Sequence, residues 1–102
     1  MRIVLCIEMP IRGKLQRRAA TKLRQDLQDA GYTRLQLNLF VKIIGFREGV
    51  NRYISQLEEV LPKECNARII TMTERQYQNI ALLRGEKSAQ ETHVNSSRQL
   101  VF

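Results

Sequence analysis

The stretch Arg2-Ile3-Val4-Leu5-Cys6-Ile7-Glu8, closed by Met9-Pro10, decides the fold. Read as a strand, it sends Ile3, Leu5 and Ile7 to one side and Val4, Cys6 and Glu8 to the other. Apolar residues on both sides mark a central strand covered on most of both faces. Pro10 and Gly13 close it, since proline cannot donate to a ladder and glycine permits a turn. Glu8 stands out, because a carboxylate at the end of a buried strand costs desolvation energy unless something satisfies it.

Outward from that strand, two periodicities alternate. From Lys14 to Ala30, Leu15, Ala19, Leu23 and Leu27 recur every fourth residue, with Ala20 and Ala30 widening the stripe. This predicts an amphipathic helix that stops at Gly31. Leu35, Leu37, Leu39, Val41 and Ile43 then alternate with Arg34, Gln36, Asn38, Phe40 and Lys42, which predicts one long half-buried strand. After Gly45, the positions Val50, Tyr53, Ile54, Leu57, Val60 and Leu61 set a second helix ended by Pro62.

Ala67 to Thr73 is rich in β-branched residues and predicts another strand. Thr73 and Gln76 form a capping box, so a helix begins at Glu74 and carries Tyr77, Ile80, Ala81 and Leu83 inward until Gly85. Glu86 to Arg98 is polar and aperiodic, and Leu100-Val101-Phe102 is a short apolar strand. The expected architecture is α+β: a ferredoxin-like βαββαβ sandwich, its sheet mostly antiparallel with helices on one face. Residues 1–85 form the domain and 86–102 a connector with a terminal strand. RNA-recognition modules share this class but need aromatic platforms on the sheet. Only Phe40 sits in a plausible place here.

The chain has 102 residues, enough for one domain with a modest core, and such chains often complete their burial by pairing with a copy of themselves. Seventeen Lys and Arg against ten Asp and Glu give a net charge of +7, which suits a phosphate backbone or serves solubility alone. Cys6 and Cys65 have no CxxC or histidine neighbourhood, which argues against zinc. With no signal peptide and no run able to span a bilayer, the expectation is a cytoplasmic protein with no membrane partner.

Five segments in order resemble the CRISPR-associated protein 2 family, particularly members that accompany type II systems. They are the strand ending Glu8-Met9-Pro10, the arginine-rich helix ending Gly31-Tyr32, and Gln36-Leu37-Asn38-Leu39-Phe40. The fourth is Thr71-Met72-Thr73-Glu74-Arg75-Gln76-Tyr77, continuing through Ile80, Leu83 and Gly85-Glu86-Lys87; the fifth is Arg98-Gln99-Leu100-Val101-Phe102. The resemblance implies a homodimer in which Leu100, Val101 and Phe102 pair at the partner's sheet edge. A tail folded back on its own sheet is the alternative. It also implies a partner, the integrase CRISPR-associated protein 1, and double-stranded DNA captured for spacer acquisition. The small dimer would bridge integrase dimers.

Lys14, Arg17, Arg18 and Arg24 lie opposite the leucine stripe, with Arg12 in the preceding loop. Guanidinium forks suit phosphate oxygens and carry no base information, as a protein accepting any spacer requires. The other reading is a solvated face paired with Asp26 and Asp29. Family members usually carry aspartate where Glu8 stands, and the resemblance implies that the acids of two protomers hold one magnesium ion for phosphodiester hydrolysis. That makes Glu8 the candidate catalytic and metal-binding residue, with Mg2+ as cofactor. A glutamate adds a methylene and a rotor to fix. Loop amides or Arg12 could satisfy it instead. Two functions follow: a non-catalytic, sequence-independent DNA-binding scaffold, and a magnesium-dependent endonuclease acting on RNA or DNA.

Overall fold

The computed structural model describes residues 1–45 and 49–87. The elements run β1 (Arg2–Glu8), α1 (Lys14–Asp29), β2 (Thr33–Gln36), β3 (Leu39–Ile43), α2 (Val50–Val60), β4 (Asn66–Met72) and α3 (Glu74–Gln78). The four strands form one antiparallel sheet in the order β2-β3-β1-β4. This is the expected βαββαβ arrangement with a short helix appended.

The central strand is β1, whose alternation supplies both faces of the sheet. Ile3, Leu5 and Ile7 pack with Phe40 and Ile44 against Leu23 and Leu27 of α1 and Leu57 of α2. Burying each of these aliphatic or aromatic side chains contributes roughly 1.5–3 kcal/mol, and this layer is the main core. Phe40 is fully buried within it, so no aromatic platform for base stacking lies at that position. On the other face Val4 and Val41 meet Tyr77 of α3, with Cys6, Leu35, Leu39 and Met72 around them. The two core helices therefore share one face, and α3 covers part of the opposite one.

Three local expectations are corrected. The long strand from Arg34 to Ile43 is a hairpin that turns at Leu37 and Asn38, with an irregularity between Arg34 and Gln36. Folding back puts Leu35 and Leu39 on the same side, beside Val4 and Tyr77. The Asn38 carbonyl accepts the Ile7 amide at 3.0 Å, tying the turn to β1. Leu15 is 80% exposed, and the buried residues of α1 begin only at Ala20.

The helix expected over 74–83 ends at Gln78. Five residues cannot sustain a helix alone; the Thr73–Gln76 capping box and contacts with the sheet hold this one. Tyr77 is the buried apolar residue of α3, while Ile80 and Leu83 are exposed. Gly85 adopts a positive φ of 99° at a bend in the irregular stretch beyond and does not cap α3. The terminal strand Leu100, Val101 and Phe102, most of the connector 86–102 and His93 lie outside the described residues.

Candidate nucleic-acid interface and strand-end acid

The outward side of α1 is cationic because its inward side is fixed by Ala20, Leu23 and Leu27. Lys14, Arg17 and Arg18 are exposed, as is Arg12 in the loop before them. Arg24, expected in the same row, is half-buried at its flank. Lys22 joins the exposed row, lining a shallow depression with Lys14, Arg17, Arg18 and Thr21. Its helical position falls toward the edge of the polar face, which hides it from a pattern centred on the leucine stripe, although four-residue spacing from Arg18 points to it.

Asp26 lines the same depression, but among the described residues the acids on α1 form no ion pair with this row. Asp29 accepts a hydrogen bond from Gln25 Nε2 at 3.0 Å. The side chain of Arg12 is not drawn to Glu8; its backbone amide donates to Gln16 Oε1 at 2.6 Å, ordering the entry to α1.

Glu8 ends β1 and is exposed, in register opposite Asn66 of β4. Asn66 Nδ2 donates to Glu8 Oε1 at 3.3 Å, so the acid has an amide partner. Burial pushes the neighbouring Cys65 thiol up, partly offset by a hydrogen bond from the Glu8 backbone amide. Among the described residues no three His, Cys, Asp or Glu side chains gather as a metal site. Magnesium nonetheless accepts one or two carboxylates when waters and phosphate complete its shell. Glu8 supplies one such carboxylate, exposed at the end of β1. Glu8 and the basic row of α1 are not brought together, since Glu8 shares the parity of Val4 and Cys6 while α1 covers the Leu5 side.

A third polar feature has no counterpart among the sequence expectations. Arg2 is fully buried, with Nε and Nη2 donating to the two oxygens of Glu74 at 2.8 and 2.7 Å. Its guanidinium lies 3.7 Å from the centre of the Tyr77 ring, a cation–π contact. The pair fastens α3 to the sheet. A charged residue opening an otherwise apolar central strand was the available signal.

No family model matches the chain. A CRISPR-associated endoribonuclease Cas2 of Acidovorax ebreus is 30% identical over 102 residues, spanning all of both chains. The chain belongs to the Cas2 family. A Streptococcus mutans Cas2 is also 30% identical, over all of this chain and 92% of that protein. A Campylobacter jejuni Cas2 is 29% identical over 92% of this chain and 69% of its own. The fold agrees with the crystal structure of Streptococcus pyogenes Cas2 at a TM-score of 0.63 and 15% identity, covering 82% of this chain and all of that one. A role in CRISPR goes with this Cas2 membership. No described helix is long and apolar enough to cross a membrane.

Proposed function

We propose that the chain is a dimeric, sequence-independent scaffold for double-stranded DNA in the CRISPR spacer-acquisition complex, where it bridges dimers of the integrase CRISPR-associated protein 1. The observation that carries this reading is the exposed row Arg12, Lys14, Arg17, Arg18 and Lys22, which the acids of α1 leave unpaired. Such a row neutralises phosphates without reading bases, and doubling it across a two-fold axis tracks a duplex. Arg24 contributes from the flank. Residues 1–85 make the folded domain, and Leu100, Val101 and Phe102 pair at the edge of a partner sheet. The setting is the cytoplasm.

The test is duplex affinity as a function of salt. Arg17→Ala/Arg18→Ala is expected to lower affinity equally for unrelated sequences and to reduce the salt slope by about 0.9 for each phosphate that is no longer neutralised. An unchanged slope would remove the α1 face from the interface.

A magnesium-dependent endonuclease is the second reading, favoured by the exposed carboxylate at the strand end and by the endoribonuclease name its relatives carry. Glu8 would hold the ion, and Asn66 would fix the rotamer of Glu8. When bound, magnesium supplies charge stabilisation at the phosphate. Comparing wild type with Glu8→Ala separates the two functions. The scaffold reading expects integration by the cognate integrase to persist in the variant. The nuclease reading expects magnesium-dependent cleavage that the variant lacks.

A further inference from the structure

The segment Ile11-Arg12-Gly13-Lys14-Leu15 alternates apolar and cationic side chains at the entry to α1. The fold buries neither apolar one: Ile11 is 48% exposed and Leu15 80%. Aliphatic residues scattered singly over a surface are ordinary. These two fall within five residues and are interleaved with the cations that open the basic row. The hydrogen bond from the Arg12 amide to Gln16 Oε1 folds the loop onto the start of the helix and keeps Ile11 at that end.

Helical spacing groups Leu15 with the cations. Leu15, Arg18 and Lys22 stand at i, i+3 and i+7 of α1 and share one stripe. All three are exposed, whereas the buried residues of the helix are Ala20, Leu23 and Leu27. Arg18 and Lys22 line the shallow depression described above. A partner that matches this stripe carries spaced negative charge with apolar surface between the charges. A DNA duplex has that chemistry: its phosphates flank a minor groove whose walls are deoxyribose C–H faces, and aliphatic side chains pack there in other proteins. In an RNA duplex the corresponding groove displays 2′-hydroxyls. An aliphatic side chain laid on them strips water from a hydroxyl and returns no hydrogen bond.

We propose that Ile11 and Leu15 pack on the sugar edges of a bound duplex and make the α1 face select DNA over RNA. The inference rests on the duplex-binding reading above and adds what chooses the nucleic acid. The cations supply an attraction that both duplexes share and that salt weakens. The apolar pair adds a contribution that salt leaves nearly unchanged, because it comes from removing apolar surface from water. Every deoxyribose is alike, so selection by the sugar is compatible with indifference to base sequence.

The test titrates DNA and RNA duplexes of matched length and sequence with the full chain over a range of salt. Wild type is expected to bind the DNA more tightly. Ile11→Gln/Leu15→Gln is expected to lose about tenfold in DNA affinity, the scale of taking one aliphatic side chain out of contact. Its RNA affinity and both salt slopes should stay at the wild-type values. Ile11→Gln/Leu15→Met, which returns one apolar side chain, should recover part of the loss. Circular dichroism checks the fold; both positions are exposed, and glutamine suits a helix. Equal losses on DNA and RNA would overturn the selectivity while leaving duplex binding intact. No loss on either would also overturn it and would hand the pair to a protein partner. A wild type that binds neither duplex would sink the duplex-binding reading itself, and the selectivity with it.

Discussion

Removing Glu74 should damage this protein more than removing the arginine it holds. Arg2 is fully buried and Glu74 is 16% exposed, so neither side of the bidentate pair is substantially screened by solvent. Among the described residues, Glu74→Ala leaves the guanidinium with the Tyr77 ring, and one of its nitrogens, Nη1, already lacks a hydrogen-bond partner there. Breaking a buried pair from one side costs about 3–5 kcal/mol, against a total stability of roughly 5–15 kcal/mol for a small domain.

Arg2→Met removes the buried charge and keeps the volume, while Glu74 can turn its carboxylate to water, so the cost should be smaller. Arg2→Met/Glu74→Leu should return close to wild type, since apolar replacement of a buried pair is often neutral or better. Urea unfolding at fixed protomer concentration measures this. With slopes of about 1–3 kcal/mol/M, a 3 kcal/mol loss moves the midpoint by roughly 1–3 M. The reasoning fails if Glu74→Ala lies within about 1 kcal/mol of wild type, or if Arg2→Met is the more harmful change.

Two further outcomes follow from the turn after α1. Burial, with Tyr53 adding to it, pushes the Tyr32 phenol up to about 12, so the unfolded chain loses its proton first as pH rises. Stability is therefore fully present below pH 10 and should fall by roughly 2–3 kcal/mol between pH 10 and 12. Tyr32→Phe should flatten that window without lowering neutral-pH stability, because the buried hydroxyl has no hydrogen-bond partner among the described residues; a cost above about 1 kcal/mol at pH 7 would contradict this. Gly31 holds a φ of +94°, and a Cβ there would come 2.9 Å from Lys42 Nζ, whose amine donates to the Ala30 carbonyl at the helix end. Gly31→Ala should cost about 1–2 kcal/mol in thermal or urea unfolding, and an unchanged midpoint would refute the strain.

The parts of the fold legible in the sequence are those where burial dictates residue type. β1, the inward stripe of α1 from Ala20, the span of α2 and the Thr73 capping box are all written in local pattern. The hairpin was hidden because Leu35 to Ile43 keeps its alternation through the turn, and neither glycine nor proline punctuates Leu37-Asn38. The early end of α3 was hidden because Ile80 and Leu83 continue a helical spacing that no surface of the described chain receives. At the site, the α1 row and Glu8 were visible as residue types. The Arg2–Glu74 pair spans 72 positions and the Glu8–Asn66 pairing depends on strand register, and both arise only when β1 meets β4.

The central place of β1 also bears on how the chain is born. Synthesis delivers Ile3 to Ile7 first, yet β3 arrives only with Leu39 to Ile43, and β4 with Asn66 to Met72. At about 5–20 residues per second, the wait between the end of β1 and the end of β4 is roughly three to thirteen seconds. During that interval the most apolar strand of the protein has no native neighbours on one or both edges. Slow translation through the α2 region would lengthen this exposure, and a ribosome stalled before β4 would present an unfinished sheet to the aggregation-prone company of other nascent chains.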